Sequence, residues 1–429
     1  MTEQLKLKLN DSKATRWGAL VIVAFTMMAA YYVNDVVAPL KTMLETDLAW
    51  SSTDFGFFTG GYSFLNVFFL MLIWGGLILD RFGIRFTGKL ATILMVGGTA
   101  LEYYAMTGLA GADATLFGIN EIFGYKTGVF VAFAGYSIFG VGAEVAGITV
   151  SKIIAKWFKG KELATAMGVQ VALARIGSQA GYAVAIPLAR AFGISTPVLL
   201  GLVLLLGGMI AFFIFAVMDK KLDKQMEAAA IAAGTEDEEE KFSFKDVKNI
   251  LVNPGFWLIA LLCVLFYSCV FPFQKFASEL MIIKYGINEN VAGTFAGLPA
   301  LGALILTPVF GGFIDKRGKS ASIMLLGSAM LICVHFIYAI PDINYWLVAI
   351  VLMIILGIAF SLVPSAMWPA VAKIFPVSQL GTAYALIFFI QNIGLWGIPT
   401  LIGWVLDAYC ISGKKPDGTN MYDYTVPMC

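Results

Sequence analysis

The chain has 429 residues, 59% of them hydrophobic and 13% charged, with a formal net charge of +1 and a mean hydropathy of +0.83. A water-soluble protein of this length has too little interior to hide so much apolar surface, so part of its solvent is lipid. A near-neutral balance excludes the strongly basic surface of a nucleic-acid binder, and five cysteines without a C-x-x-C pair give no metal or redox framework.

Residues 1–15 are polar and show no signal-peptide cleavage pattern. A helix needs about 20 apolar residues to cross a bilayer. Such runs recur near 16–40, 54–79, 89–109, 128–155, 163–189 and 195–218. After a polar stretch at 219–249, with an acidic cluster at 236–240, they resume near 254–283, 289–314, 320–340, 345–372 and 379–405. The predicted fold is all-α and polytopic: a six-helix bundle over 16–218, a linker over 219–249, a second bundle over 250–405 and a polar segment over 406–429. Eleven spans are visible.

Lysine and arginine favour cytoplasmic loops. With the N-terminus in the cytoplasm, 21 of them fall inside and six outside, while Arg175 and Lys275 lie within spans. Trp17, Trp157 and Trp257 then mark inner span ends, and Trp346 and Trp404 outer ones, as interfacial anchors.

The halves repeat. Gly76-x-x-x-Asp80-Arg81-x-Gly83-x-Arg85 follows span two, and Gly311-x-x-x-Asp315-Lys316-x-Gly318 follows span eight. A second block aligns Gly140 with Gly357, Lys156 with Lys373, Thr165 with Thr382 and Gly177 with Gly394, among nine ordered matches at one offset. Duplicated parallel bundles around a central path are the plan of major facilitator transporters, and the first motif resembles that superfamily's loop signature. Its glycines let a helix end turn and neighbours approach. Asp80 and Asp315, with Arg81, Arg85 and Lys316, are candidate latches between the bundles; topogenic helix-end turns are the plain alternative.

Charges at bilayer depth are costly and so are candidates for function. Glu144 lies 12 residues from Lys156, and Arg175 lies 12 from Leu163. At about 1.5 Å per residue both sit roughly 18 Å from the inner ends, level near the midplane. A carboxylate and a forked guanidinium there suit a zwitterion; a structural ion pair is the alternative. Lys275 and Glu279, after the kink expected at Pro272, form an i,i+4 pair that either neutralises itself or gates the outer side. Asp35 reads as a snorkelling acid, Glu102 and His335 as structural. Tyr62, Asn66, Trp368, Gln391 and Asn392 are candidate cavity residues, with packing as the alternative.

Trp157-Phe158-Lys159-Gly160-Lys161-Glu162-Leu163, Ala174-Arg175-Ile176-Gly177-Ser178, Phe271-Pro272-Phe273, Gln379-Leu380-Gly381-Thr382-Ala383-Tyr384 and Gln391-Asn392-x-Gly394-Leu395 occur in that order. Together they resemble the lysosomal dipeptide uniporter family within the major facilitator superfamily. The resemblance implies twelve helices, against which the sequence shows eleven spans and a twelfth apparently missing, a central cavity for a dipeptide, and termini held by Glu144 and Arg175. No acidic dileucine signal stands at the N-terminus, so a bacterial inner membrane is the expected setting. The expected function is a secondary carrier of dipeptides or similar zwitterions by alternating access. An organic-anion or sugar-acid carrier and a non-transporting transceptor or assembly subunit stay open. No catalytic residues, metal or cofactor are expected. The expected partners are a small-molecule substrate and the lipid bilayer, without nucleic acid, and the sequence leaves an accessory subunit open.

Overall fold

The computed structural model describes residues 8–111, 114–159, 161–233, 244–375, 377–415 and 417–428. In a bilayer core each backbone N–H and C=O must bond within its own segment, so apolar runs of this length become helices. The first bundle comprises α1 (Lys13–Val36), the short α2 (Lys41–Leu48), α3 (Ser52–Phe68), α4 (Met71–Thr107), α5 (Thr127–Trp157), α6 (Leu163–Phe192) and α7 (Thr196–Ala233). A small hairpin of β1 (Glu121–Ile122) and β2 (Tyr125–Lys126) precedes α5. After α8 (Phe244–Val252), the second bundle comprises α9 (Pro254–Tyr285), α10 (Glu289–Ala296), α11 (Leu298–Arg317), α12 (Ser320–Ala339), α13 (Trp346–Ile374) and α14 (Val377–Tyr409). The chain then forms an antiparallel hairpin, β3 (Ile411–Lys414) and β4 (Asn420–Tyr422), and one helical turn, α15 (Thr425–Met428).

Among the described residues, eight helices are individually long and apolar enough to cross a membrane, and the pair α3 and α4, bent by 58°, makes a ninth. The difference from eleven expected runs has two sources. The α3–α4 pair contains two of the expected runs, separated at Gly83 by non-helical torsions (φ 76°, ψ 173°). The other is α6, whose middle carries Gln170, Arg175 and Gln179 and is correspondingly less apolar. A further break falls at Leu70, a non-glycine residue in the left-handed region that ends α3 and starts α4.

The repeat predicted from sequence has structural counterparts. Gly83 and Gly318 both take positive φ, 76° and 67°, at the turns closing the matched motifs; a Cβ strains that conformation. A Cβ at Gly140 of α5 would strike the Tyr62 carbonyl of α3, and one at Gly357 of α13 would crowd Pro299 of α11. Likewise Gly177 of α6 abuts Met28 of α1, and Gly394 of α14 abuts Ser268 of α9. Gly76 and Gly311 differ from expectation, because a Cβ on either would meet nothing within 4 Å. They are not sites of close approach.

Two other expectations are corrected. Trp157 is not an interfacial anchor: it is buried and its Nε1 donates to Asp219 at 2.9 Å. Trp257, Trp346 and Trp404 are about half exposed, as anchors require. The first part of the expected linker is helical, since α7 continues to Ala233 with Asp219 fully buried. The acidic cluster at 236–240 lies outside the described residues, as does Cys429.

Close packing carries a prediction. Gly140→Ala places a methyl group against the backbone of α3 and should cost about 1–3 kcal/mol, read as a lowered thermal midpoint. Gly76→Ala, which opens on free space, should stay within about 0.5 kcal/mol. Equal midpoints for both variants would contradict the packing described.

Candidate functional site

Near the middle of the first bundle, Glu144 of α5 accepts a hydrogen bond from the Tyr62 hydroxyl at 3.0 Å. Arg175 of α6 faces aromatic rings, with its guanidinium carbon 5.6 Å from the Tyr31 centroid and 5.1 Å from that of Phe360. Arg175 makes no ion pair among the described residues, with Glu144 or any other carboxylate. The structural ion pair weighed from sequence is therefore not formed. Arg175 instead reaches across the seam to α13, held by cation–π attraction that leaves its N–H fork unsatisfied by carboxylate.

The second bundle meets this charged wall with aromatic and amide groups. Trp368 Nε1 donates to the Tyr267 hydroxyl at 3.2 Å, and the Tyr384 hydroxyl donates to the Trp368 carbonyl at 3.0 Å. Trp368 also packs on Phe388 at 4.9 Å, and Phe271 on Phe360 at 5.4 Å. Gln391 accepts from Cys263 Sγ at 3.3 Å, and Asn392 Nδ2 donates to the Phe388 carbonyl at 2.9 Å. Asn66 of α3 is buried, yet neither its Oδ1 nor its Nδ2 has a hydrogen-bond partner among the described residues. Of the sequence candidates, Tyr62 joins Glu144 directly, while Trp368 and Gln391 sit in packed second-bundle clusters. Tyr31, Phe360 and Tyr267 were missed, because single aromatics in apolar runs carry no distinguishing pattern.

Toward the face opposite the Asp80 loop, charges cross the seam. Lys275 and Glu279 do not neutralise each other. Lys275 Nζ donates to the Asn34 carbonyl at 2.5 Å, pairs with Asp35 at 3.4 Å and contacts the Tyr136 hydroxyl at 3.2 Å, all first-bundle groups. Asp35 is thus a buried partner rather than a snorkelling acid. Glu279 binds Lys41 of α2 and the Tyr424 hydroxyl, with Lys415 at 3.5 Å. The i,i+4 spacing allows the Lys275–Glu279 pair, but oppositely charged partners on α1 and α2 compete and win. Backbone contact seals the same end: a Cβ at Gly56 would strike Pro399, and one at Gly403 would strike Ser52. Glu102 is fully buried with neither oxygen hydrogen-bonded, and His335 packs edge-on to Phe273 at 5.0 Å.

At the basic face, where Arg81, Lys156 and Lys316 cluster, the described ion pairs stay inside the first bundle. Asp80 pairs with Lys152 of α5 at 2.9 Å, so its partner is not on the facing bundle. Arg85 pairs with Asp223 at 2.6 Å and lies 3.6 Å from Asp219. Lys156 pairs with Asp219 at 2.7 Å and Asp223 at 2.5 Å. Arg81 and Lys316 are exposed, and Arg81 lies over the Phe82 ring. Asp315 belongs to α11, but its side chain lies outside what is described. Asp219 was missed; the spacing Asp219-x-x-x-Asp223 on one helix face was the available signal. The seam is therefore bridged at one face and unbridged, among the described ion pairs, at the other.

A family model described as Major Facilitator Superfamily matches residues 20–397. The Lysosomal dipeptide transporter MFSD1 of Homo sapiens is 29% identical over 409 residues, spanning 92% of this chain and 81% of that protein. The protein of the same name from Gallus gallus is 33% identical over 287 residues, spanning 64% and 62%. Among solved structures, a mutant of the nucleoside transporter NupG aligns with a TM-score of 0.70 at 11% identity, over 96% of this chain and 95% of that one. A bacterial homolog of the human lysosomal transporter Spinster, in an inward-facing and unoccupied conformation, aligns with a TM-score of 0.64 at 15% identity, over 93% and 84%. Likeness at such identity establishes the fold alone.

The basic-face pairs differ in burial and so in expected worth. Asp219→Ala leaves Lys156 and Arg85 short of a buried carboxylate and should destabilise by about 3–5 kcal/mol. Asp80→Asn, in an exposed pair, should cost no more than about 1 kcal/mol. Thermal unfolding in detergent measures both, and an Asp80→Asn loss matching that of Asp219→Ala would refute this ranking.

Proposed function

Because this chain belongs to the major facilitator superfamily, a family of multi-pass membrane transporters, we propose that it carries dipeptides or similar small zwitterions by alternating access. The observation that carries the reading is the separation of Glu144 from Arg175: opposite charges on adjacent helices of one bundle, each held by aromatic groups and not by the other. A substrate ammonium group meets Glu144, and its carboxylate meets the Arg175 fork. The relatives named for dipeptide transport support that choice of substrate. The uncharged second-bundle wall of Trp368, Tyr267 and Phe360 offers apolar and π surface to the substrate's side chains.

In this reading the basic face is cytoplasmic and the membrane a bacterial inner one, in keeping with the lysine and arginine bias of the loops. The conformation is then closed outward. Substrate exchange follows from rocking of the bundles, with Lys275, Asp35 and Glu279 parting as the outer side opens. Asp80, Arg81, Arg85, Asp315 and Lys316 bring the inner ends together in the opposite state.

Uptake into proteoliposomes tests the reading. The wild-type protein should accumulate labelled dipeptides and not sugar acids. Arg175→Ala and Glu144→Gln should each lower uptake at least tenfold, roughly the worth of one charge-assisted hydrogen bond. Uptake of sugar acids alone, with Glu144→Gln harmless, would replace this reading by an anion carrier. A folded protein that moves neither class would be a receptor or assembly subunit.

A further inference from the structure

The cluster beneath the opposite face contains four charges from three separate stretches of chain. Lys41 and Glu45 stand on α2, Glu279 stands on α9, and Lys415 follows β3 in the segment after α14. Lys41 lies 2.5 Å from Glu45 and binds Glu279 as well, and its side chain is 1% exposed. Lys415 lies 3.8 Å from Glu45 and 3.5 Å from Glu279. Formal charge therefore sums to zero only when Lys415 is in place. Without it, two buried carboxylates share a single ammonium, and like charges at such range repel strongly in a low-dielectric setting.

Other groups of the same segment dock there too. The Tyr424 hydroxyl donates to Glu279, and the Tyr422 ring covers the Lys41 ammonium at 4.8 Å. The Tyr422 hydroxyl donates to Asp407 at 2.7 Å, and Asp407 in turn accepts from the Thr53 and Ser52 N–H groups at the start of α3. Ser52 Oγ donates to Glu45 at 3.0 Å. Burial, and after it the charge of Glu279, hold the Tyr424 phenol well above its ordinary range, so it remains a donor throughout neutral pH. The tail thus touches α2, α9, α14 and, through Asp407, the start of α3.

We propose that residues 411–415 and 417–424 act as a strap that holds the opposite face closed, with Lys415 balancing the buried Lys41–Glu45–Glu279 cluster and Tyr424 fixing the strap to Glu279. The proposal rests on the alternating-access reading above. Lys415 and Tyr424 are positioning residues: they touch no substrate and act through the gate. Release of the strap leaves a net negative cluster that separates into water as α9 moves away from α2. Protonation of one carboxyl restores neutrality, so a strap-deficient protein closes again on acidification. The titratable and charged groups facing the cluster are Lys41 and Glu45 from α2, Glu279 from α9, Asp407 from α14, and Tyr422, Tyr424 and Lys415 from the strap.

The experiment is hydrogen exchange of residues 41–60 in the full chain, reconstituted in lipid nanodiscs, with dipeptide uptake measured separately. At neutral pH, Lys415→Met should raise exchange there at least tenfold, about the effect of uncovering one buried charge. The excess over wild type should shrink as the pH is lowered and a carboxyl takes up a proton. Lys415→Met combined with Glu45→Gln restores neutrality and should return exchange toward wild type; Lys415→Arg should be silent. Tyr424→Phe, which keeps every charge, should give a smaller rise without the pH dependence, and serves if Lys415→Met does not fold. Exchange unchanged in Lys415→Met, or a double variant as open as the single one, overturns the strap. A wild-type protein that moves no dipeptide would defeat the transport reading instead, and the exchange comparison would still report on the gate.

Discussion

An ammonium group taken out of water is stable only where carboxylates replace its hydration, and an isolated one costs several kcal/mol. Lys41 meets this demand from two bundles at once, through Glu45 beside it on α2 and Glu279 across the seam on α9. The rest of the closed face is organised around that requirement. Lys275 reaches back to Asp35 and Asn34, Asp407 caps the start of α3, and the glycines at 56 and 403 let α3 and α14 come into backbone contact. At the basic face the described ion pairs are satisfied within one bundle, so none of them ties the halves together.

The central site follows a different electrostatic logic. Glu144 and Arg175 are each supported by aromatic neighbours and not by the other. A closed ion pair would have to be broken before any zwitterion could bind. Two separately held charges need no such step. Arg175 also leans on Phe360 of the second bundle, so its surroundings change with any movement at the seam.

Much of the architecture was legible because lipid leaves few options. Apolar length marks helices, and the repeated motif located two turns that need glycine, at 83 and 318. Partner choice was not legible. Lys275 and Glu279 are ideal partners by spacing, but side chains on α1 and α2 took each of them, and one-dimensional spacing says nothing of neighbours from other helices. Lys41 and Lys415 read as ordinary loop charges for the same reason. Asp219 was assigned to a solvated linker because its polarity was visible and its burial against Trp157 was not.

The break at Leu70 has a consequence for solvent. A helix that restarts leaves its first N–H groups without partners inside the helix, and no side chain caps this start. Hydrocarbon offers nothing to satisfy them, and irregular backbone at membrane depth is tolerated only against protein or beside a water-filled space. Phe68, Phe69 and Leu70 are each more than 40% exposed. The restart of α4 therefore leaves N–H groups that only water or a polar neighbour can satisfy, a demand that an unbroken helix would not make at this point.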